Sequence, residues 1–371
     1  MMRLVFAGGG TSGHLVPSIA VAQTLRQINP DVELHFVTSR RPLDAQMLAA
    51  RGFQAHPISG RGMPYGLSPT AAGSLFHLAA GSCQALRLLR RLQPDALLAT
   101  GGFISASVVP AARLLRVPIM LHVSDVMPDR TNRLLARWAD CVSLVSDSVA
   151  ATFATRRVVV TGQPVRPEIL AVDPLAARAS LQIPDTGFVV LVTGGSQGAR
   201  RLNDAVIAGL RDLLAMPDTY IIHLTGTGKL TPPEALSDIN GANTRYHAQQ
   251  RRDDMGTVLA AADIVVTRAG ASGLAEASAW GRPIVTVPYP HAGGHQQYNA
   301  RLYEQAAAAV VIDDADLTGP RLVETLTNLR NQPGRLEAMA QAATDLGSRN
   351  AARAVANHLM SLVSDPPDTA S

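Results

Sequence analysis

The chain contains 371 residues, of which 47% are hydrophobic and 17% are charged, and its formal net charge is +4. This composition is typical of a globular protein, and the length allows two domains with separate cores. No dense basic run with interleaved aromatic residues occurs, which argues against a nucleic-acid partner. Cys83 and Cys141 lie far apart without metal-ligand spacing, so we predict two buried thiols in a reducing compartment.

The sequence shows neither a signal-peptide pattern nor a segment that is long and apolar enough to span a bilayer, which predicts a cytoplasmic protein. Residues 62–86 contain no Asp, Glu, Lys or Arg, and Arg87, Arg90 and Arg91 follow them. Two interpretations of this segment stay open. It is either a packed loop and helix with a solvated basic end, or an exposed apolar patch that adsorbs to an anionic membrane.

A strand, a glycine turn and a helix open the chain. Residues 4–7 form an apolar run, residues 8–14 read GGGTSGH, and residues 15–25 have the apolar spacing of a helix. This is the start of a Rossmann-like half. The glycines are adjacent, unlike those of the dinucleotide fingerprint, and no acidic residue closes the next strand at 34–38. We therefore expect a phosphorylated ligand other than NAD. His14 lies where the turn becomes a helix, and it either caps that helix or faces the ligand of the turn; its position beside four glycines favours the ligand.

Further strands of the first half end at a common edge. They are predicted at residues 96–100, 118–122, 142–145 and 157–160. The loop at 123–125 follows one of them, and ligands of open α/β sheets bind at this carboxyl edge.

The opening pattern occurs a second time after a linker at residues 161–167. Residues 188–193 form an apolar run, residues 194–198 read GGSQG, and residues 199–214 have a helical pattern. The repetition predicts two similar Rossmann-like domains that face each other, with Arg166 at the hinge. Later segments carry weaker patterns. They predict strands at 220–225 and near residue 246, and residues 336–363 have a helical pattern.

Residues 263–300 combine the features of a nucleotide-sugar pocket. A β-branched strand leads into a small-residue turn at 268–273, and the helix that follows begins with free N–H groups suited to a phosphate. Glu276 in this helix is suited to the hydroxyls of a ribose. A polar loop at 291–297 offers amides for sugar hydroxyls. Taken alone, an ordinary βαβ unit with a capping glutamate explains this stretch equally well.

Five segments together resemble the MurG family of N-acetylglucosaminyltransferases, in glycosyltransferase family 28. They are residues 8–22, 101–122, 162–166, 194–203 and 263–300. The resemblance implies the α/β class and a GT-B fold, in which two Rossmann-like, doubly wound parallel-sheet domains face each other across a cleft.

The resemblance also implies a domain organisation. Residues 1–165 are expected to form an acceptor- and membrane-facing domain, and residues 166–346 a UDP-sugar donor domain. A helix at about 347–363 is expected to pack back on the first domain. Residues 364–371 are expected to form a disordered tail.

The matching motifs imply roles for individual residues. His14 is the first candidate for the catalytic base, and His122 and Asp125 are weaker candidates. The residues implied to bind substrate are Thr11, Ser12, Gly13, Asp125, Arg166, Ser196, Gln197, Gly198, Asn203, Arg252, Gly270, Ala271, Ser272, Glu276, Gln296 and Gln297. Among these, Arg166 and Asn203 are expected to line the cleft. Helix N-termini and arginines are expected to stabilise the leaving diphosphate, so neither a metal nor another cofactor is expected.

Two departures from the family pattern affect these roles. Residues 122–125 read HVSD where the family usually has His-Glu-Gln-Asn, so no role of that glutamate is carried over. Arg252 stands where the family often has an apolar residue in contact with uracil. Both differences leave room for a divergent donor or acceptor.

The implied function is inverting transfer of N-acetylglucosamine from UDP-GlcNAc to lipid I, undecaprenyl-pyrophosphoryl-MurNAc-pentapeptide, giving lipid II in peptidoglycan synthesis. The implied location is the inner face of the cell membrane, with residues 62–86 facing the membrane. Cell-wall synthesis and division proteins are implied as further partners. Three alternatives remain: a related glycosyltransferase with another lipid or metabolite acceptor, a UDP-sugar 2-epimerase, and a non-catalytic UDP-sugar-binding protein.

Overall fold

A computed structural model describes residues 1–10, 12–62, 70–153, 157–195, 197–228, 242–291 and 294–364. The chain forms two compact units. The first comprises Met1–Arg166 together with the chain from Asn350 onward, and the second comprises Pro167–Arg349. Each unit contains a parallel β-sheet with helices, which confirms the predicted α/β class.

The first unit contains a sheet in which every described strand pair is parallel. Its strands are β1 (Arg3–Ala7), β2 (Glu33–Thr38), β3 (Gln54–Pro57), β4 (Ala96–Ala99), β5 (Ile119–Val123), β6 (Cys141–Leu144) and β7 (Val158–Val160). Their spatial order is β3-β2-β1-β4-β5-β6-β7. The order changes direction between β1 and β4, and such a switch point is where open α/β sheets form ligand crevices.

Helices cover both faces of this sheet. They are α1 (Ser12–Ile28), α2 (Pro42–Ala49), α3 (Thr70–Leu92), α4 (Gly102–Leu114), α5 (Arg130–Leu135) and, at the C-terminal end of the described chain, α15 (Ala351–Ser364). Alternate side chains of β1 enter different cores because successive residues of a strand point to opposite faces. Phe6 packs in the core that contains residues of α1 and α15, whereas Val5 packs in the core with residues of α3 and α4.

The second unit contains the sheet order β10-β9-β8-β11-β12-β13, again with parallel pairs. Its strands are β8 (Phe188–Thr193), β9 (Thr219–Leu224), β10 (Tyr246–Gln249), β11 (Ile264–Thr267), β12 (Ile284–Thr286) and β13 (Ala309–Val311). Its helices are α6 (Pro167–Leu170), α7 (Pro174–Ser180), α8 (Arg200–Ala215), α9 (Ala242–Arg245), α10 (Met255–Ala261), α11 (Ala271–Ala279), α12 (His295–Gln305), α13 (Gly319–Arg330) and α14 (Pro333–Leu346). Here the switch point lies between β8 and β11.

The segment with a helical pattern at residues 336–363 forms parts of two helices. The chain leaves α14 at Leu346 and begins α15 at Ala351. Gly347 lies against α11, where a Cβ atom would stand 2.4 Å from the carbonyl oxygen of Ser278. After this break the helix α15 packs on α1 in the first unit. The predicted disordered tail begins at Ser364, the last residue of α15, and the rest of it lies outside the described residues.

The segment without charged residues contributes the first part of α3. Residues 63–69 lie outside the described residues, but Leu75 and Phe76 are 53% and 72% exposed. The thiol prediction is half right, because Cys141 is buried but Cys83 on α3 is exposed. Within the described ranges, no helix has both the length and the apolar character needed to cross a membrane.

Candidate active site

The first glycine turn packs against the loop that follows β4. A Cβ atom at Gly8 would lie 2.3 Å from Thr100 Oγ1, and one at Gly10 would lie 2.4 Å from the Phe103 ring. Gly10 also has a φ of +83°, which residues with a side chain rarely adopt. These contacts explain why small residues are required here, and they join the two loops on either side of the switch point.

His14 is held in one tautomer by this neighbouring loop. Its Nδ1 atom lies 2.8 Å from the carbonyl oxygen of Thr100, which can only accept a hydrogen bond. Nδ1 therefore carries the proton, and in the neutral ring Nε2 keeps its lone pair. Nε2 faces Gly102, where a Cβ atom would stand 3.2 Å away. The partly exposed imidazole thus has the protonation pattern of a general base. Thr100, which the sequence analysis did not identify, fixes this tautomer through its carbonyl oxygen.

His122 does not fit the role of base that the resemblance implied. Its side chain is fully buried, Nε2–H donates to Gln163 Oε1 at 2.9 Å, and Nδ1 accepts from Ser143 Oγ at 2.9 Å. Burial lowers its pKa to about 4. Because both ring nitrogens are engaged in the interior, His122 links β5, β6 and the chain after β7. Asp125 is partly buried in the loop after β5 and stays a candidate.

Two further candidates, Ser12 and Gly13, lie at the start of α1. Ser12 is the first residue of this helix, and Gly13 is exposed in its first turn. Thr11 lies outside the described residues, and so does Ser196 in the second unit. Their implied contacts with substrate stay predictions.

The second glycine turn, residues 194–198, connects β8 to α8. Gly198 N–H donates to the Gly195 carbonyl at 3.0 Å, and both residues have positive φ angles. A Cβ atom at Gly194 would lie 2.3 Å from Ala199 N, whereas one at Gly195 would meet nothing within 4 Å. Gln197 is exposed. Gly194 is therefore packed against Ala199, whereas the backbone at Gly195 is open and accessible to a ligand.

Asn203 does not offer its side chain to a ligand, which corrects the prediction that it lines a cleft. It is fully buried: Nδ2–H donates to Thr225 O at 2.9 Å, and Oδ1 accepts from His223 Nε2 at 3.0 Å. His223 Nδ1 in turn accepts from Tyr246 OH at 2.9 Å. Gly226, which follows Thr225, packs against Gly198 of the second glycine turn. Asn203 is therefore part of an internal network that supports the turn.

The helix α11 begins at the carboxyl end of β11, beside β8. Gly270 is its N-cap and Ala271 its first residue, so their backbone groups lie at the positive end of the helix dipole. Ser272 Oγ in the first turn is buried and has no hydrogen-bond partner among the described residues. Glu276 follows one turn later and is 8% exposed. Asn299, missed from the sequence, donates to the Ala269 carbonyl at 3.1 Å and so holds the turn.

Gln296 and Gln297 lie in the first turn of α12, not in a loop as predicted. Gln296 Oε1 accepts the backbone N–H of Tyr289 at 2.9 Å, which fixes its orientation. Gln297 is partly exposed. The polar loop is thus shorter than expected, and a helix presents these two amides.

The two arginines named from the sequence have different surroundings. Arg166 is the last residue before α6 and is only 7% exposed. Arg252 is partly buried in the loop after β10, where Nε donates to Asp254 O at 3.1 Å and the guanidinium lies 3.5 Å from the Asp254 carboxylate. The Arg252 side chain therefore interacts with Asp254 in its own loop.

The buried histidines make stability depend on pH. Burial lowers the pKa values of His122 and His223 from 6.5 to about 4, so the unfolded chain takes up protons first as the pH falls. Stability from these groups is complete above pH 6.5 and is lost towards pH 4. We expect a loss of about 2 kcal/mol per histidine between pH 7 and pH 5. Calorimetric melting at both pH values measures it. Equal melting temperatures at both pH values would contradict the expectation, and His122→Gln should show a smaller pH effect.

Comparison with protein families gives two matches that follow each other along the chain. Residues 4–144 match the Glycosyltransferase family 28 N-terminal domain, and residues 189–359 match the Glycosyltransferase family 28 C-terminal domain. Together they include both glycine turns, His14 and Glu276.

Curated relatives and solved structures are similar over nearly the whole chain. A UDP-N-acetylglucosamine–N-acetylmuramyl-(pentapeptide) pyrophosphoryl-undecaprenol N-acetylglucosamine transferase of Desulforudis audaxviator is 38% identical, covering 94% of this chain and 95% of the relative. The protein of the same name from Halothermothrix orenii is 36% identical, with 98% and 99% covered.

Among solved structures, Acinetobacter baumannii MurG superposes with a TM-score of 0.72 at 26% identity, with 97% of this chain and 99% of that chain covered. The UDP-GlcNAc 2-epimerase of Neisseria meningitidis superposes at 0.65 with 16% identity, covering 97% of this chain and 100% of that chain, which shows a shared fold alone. Because the curated transferases are 38% and 36% identical to this chain over nearly their full length, and both domain models match, the chain belongs to the MurG family of N-acetylglucosaminyltransferases, within glycosyltransferase family 28.

Proposed function

We propose that the chain transfers N-acetylglucosamine from UDP-GlcNAc to lipid I, with inversion at the anomeric carbon. The observation in the structure that supports this most directly is His14, whose Nδ1–H is bound to Thr100 O so that Nε2 can accept a proton. The identity to the curated transferases favours lipid I over other acceptors.

The reaction needs one proton transfer and one displacement. His14 Nε2 takes the proton of the acceptor hydroxyl as its oxygen bonds to the anomeric carbon of the donor. The bond from that carbon to the diphosphate oxygen breaks, and UDP leaves with the electron pair. The transition state resembles an oxocarbenium ion, as in glycoside hydrolysis. His14 suits this step because its Nε2 is free of the hydrogen bond that Nδ1 makes to Thr100 O.

The donor is assigned to the switch point of the second unit. The N-terminus of α11 and Gly195 present backbone N–H groups, which stabilise the charge that develops on the diphosphate. Ser272 Oγ adds a buried hydroxyl that has no protein partner among the described residues. Glu276 binds the ribose, and Gln296 and Gln297 bind hydroxyls of the transferred sugar.

Labelled UDP-GlcNAc, incubated with the purified chain and lipid I, tests this function. We expect label in a lipid-linked disaccharide and one UDP released for each sugar transferred. A reaction without lipid I is the control, and it should release no sugar. Free 2-epimerised sugar from donor alone would support the epimerase instead, and absence of any turnover would overturn the proposal.

We further propose that the protein binds peripherally to the inner face of the cell membrane. Leu75 and Phe76 of α3 are exposed, and the arginines at 87, 90 and 91 near the end of this helix are exposed as well. Exposed apolar side chains on a helix that also carries exposed arginines suit an anionic lipid surface. Contacts with cell-wall synthesis and division proteins stay a prediction.

Phe76→Glu should weaken binding to vesicles of phosphatidylglycerol and phosphatidylcholine by at least about tenfold, because an apolar side chain is lost and a negative charge is added. Cosedimentation measures this affinity. Leu175→Glu is the matched control, since Leu175 is 61% exposed in the second unit. Equal binding of both variants would contradict the assignment of α3.

A further inference from the structure

The buried carboxyl group of Asp44 accepts a hydrogen bond from the first glycine turn. Asp44 is 3% exposed, and its Oδ2 atom accepts hydrogen bonds from Gly10 N–H at 2.8 Å and from Ser39 Oγ at 2.6 Å. The same oxygen would stand 2.8 Å from a Cβ atom at Gly9. The carboxylate therefore packs directly against the backbone of the turn.

The other backbone group of Gly10 is bound from the same loop. The Arg41 guanidinium donates to the Gly10 carbonyl, and Arg41 N–H donates to Ser39 Oγ at 3.2 Å. A six-residue segment thus holds both the N–H and the C=O of one glycine. On its other side Gly10 contacts the ring of Phe103, so its position is fixed from two directions.

The surroundings of Asp44 supply partners for its buried side chain. It lies in the first turn of α2, where the amide groups of the helix end carry partial positive charge. A buried carboxylate needs hydrogen-bond donors to offset its lost hydration, and Gly10 and Ser39 supply them. The pattern of strand, glycine turn and helix does not predict this role for Asp44, because Asp44 lies six residues after the end of β2.

The helix α1, which carries His14, begins at Ser12, two residues after Gly10. Thr100 holds His14 at two points, since its carbonyl accepts from Nδ1 and its hydroxyl donates to His14 O at 2.6 Å. The segment before the helix has its own anchor at Asp44. The N-terminal end of α1 is therefore fixed both before and at the imidazole.

We propose that Asp44 is a positioning residue, whose carboxylate fixes the first glycine turn through Gly10 N–H and thereby sets the place of His14. The Asp44 side chain already accepts this N–H, so Gly10 does not donate to a phosphate of the substrate. The inference rests on the proposed transfer reaction. It concerns the first unit alone, so donor binding by the second unit is left unchanged.

Steady-state transfer and UDP calorimetry with three variants test this role. Asp44→Ala removes the acceptor of Gly10 N–H, and we expect kcat to fall at least about tenfold because a small displacement of a catalytic group has large effects. Asp44→Asn keeps an oxygen that can accept both bonds, so its kcat should stay within about threefold of the wild type. UDP affinity should be unchanged in both.

Each outcome decides the matter. A normal kcat for Asp44→Ala, an equal loss for Asp44→Asn, or a parallel loss of UDP affinity overturns the positioning role. Ser39→Ala is the milder variant if Asp44→Ala does not fold. It removes one of the two donors and should lower kcat about twofold to fivefold, whereas an unchanged kcat overturns the proposal. Wild-type turnover in the same assay separates this result from failure of the proposed function.

Discussion

Replacing His14 with alanine is expected to lower kcat by about two to four orders of magnitude, the usual contribution of a general base. The hydrogen bond from Nδ1–H to Thr100 O leaves Nε2 as the only ring nitrogen able to take a proton. The affinity for UDP should not change, because the donor is assigned to the second unit. Steady-state transfer to lipid I and calorimetry with UDP measure these two quantities separately.

His14→Asn is the matched control for this result. The asparagine amide can still donate to the Thr100 carbonyl but has no basic nitrogen. We expect it to be as inactive as His14→Ala while melting closer to the wild type. A near-normal rate in either variant would remove His14 from the role and make Asp125 the next residue to replace.

Glu276→Ala is expected to weaken UDP binding by about 10- to 100-fold, because hydrogen bonds to a charged group contribute about 1.5–3 kcal/mol. Glu276 is 8% exposed and lies one turn after the N-terminus of α11. A carboxylate there is repelled by the diphosphate unless it accepts from the ribose hydroxyls. Isothermal calorimetry with UDP measures the change.

The ligand provides the control for the ribose assignment. The wild type should bind UDP more tightly than 2′-deoxy-UDP, and Glu276→Ala should lose most of this preference. Glu276→Gln keeps one acceptor oxygen and should be intermediate. If UDP affinity is unchanged in Glu276→Ala, or if the variant keeps the full preference, the carboxylate does not bind the ribose.

Much of the fold follows from local sequence patterns. The run at 264–267 and the run at 188–193 are strands at the predicted residues, because β-branched side chains buried on both faces leave little choice. The break between α14 and α15 could not be predicted this way. It depends on the contact of Gly347 with Ser278, which is distant in sequence.

The sequence predicts those parts of the candidate site that glycines or helix ends define. It predicts less well which side chains are buried and therefore cannot reach a ligand. Motifs placed His14, Gly270 and Glu276 beside switch points of the sheets. The same motifs gave no sign that Asn203 and His122 point into the interior, because that depends on partners such as Thr225 and Gln163. The sequence gives no sign of Asp44 either, because its contact with Gly10 joins residues that are 34 positions apart.

The packing of α15 on α1 affects how the protein is made. Val355 and Leu359 complete the core that contains Leu15 and Ile19, although more than 300 residues of sequence separate them. During translation, the ribosome therefore finishes the whole second unit before the first can close its core. The unit encoded first is completed last, and until then the apolar face of α1 is exposed to chaperones and to other nascent chains.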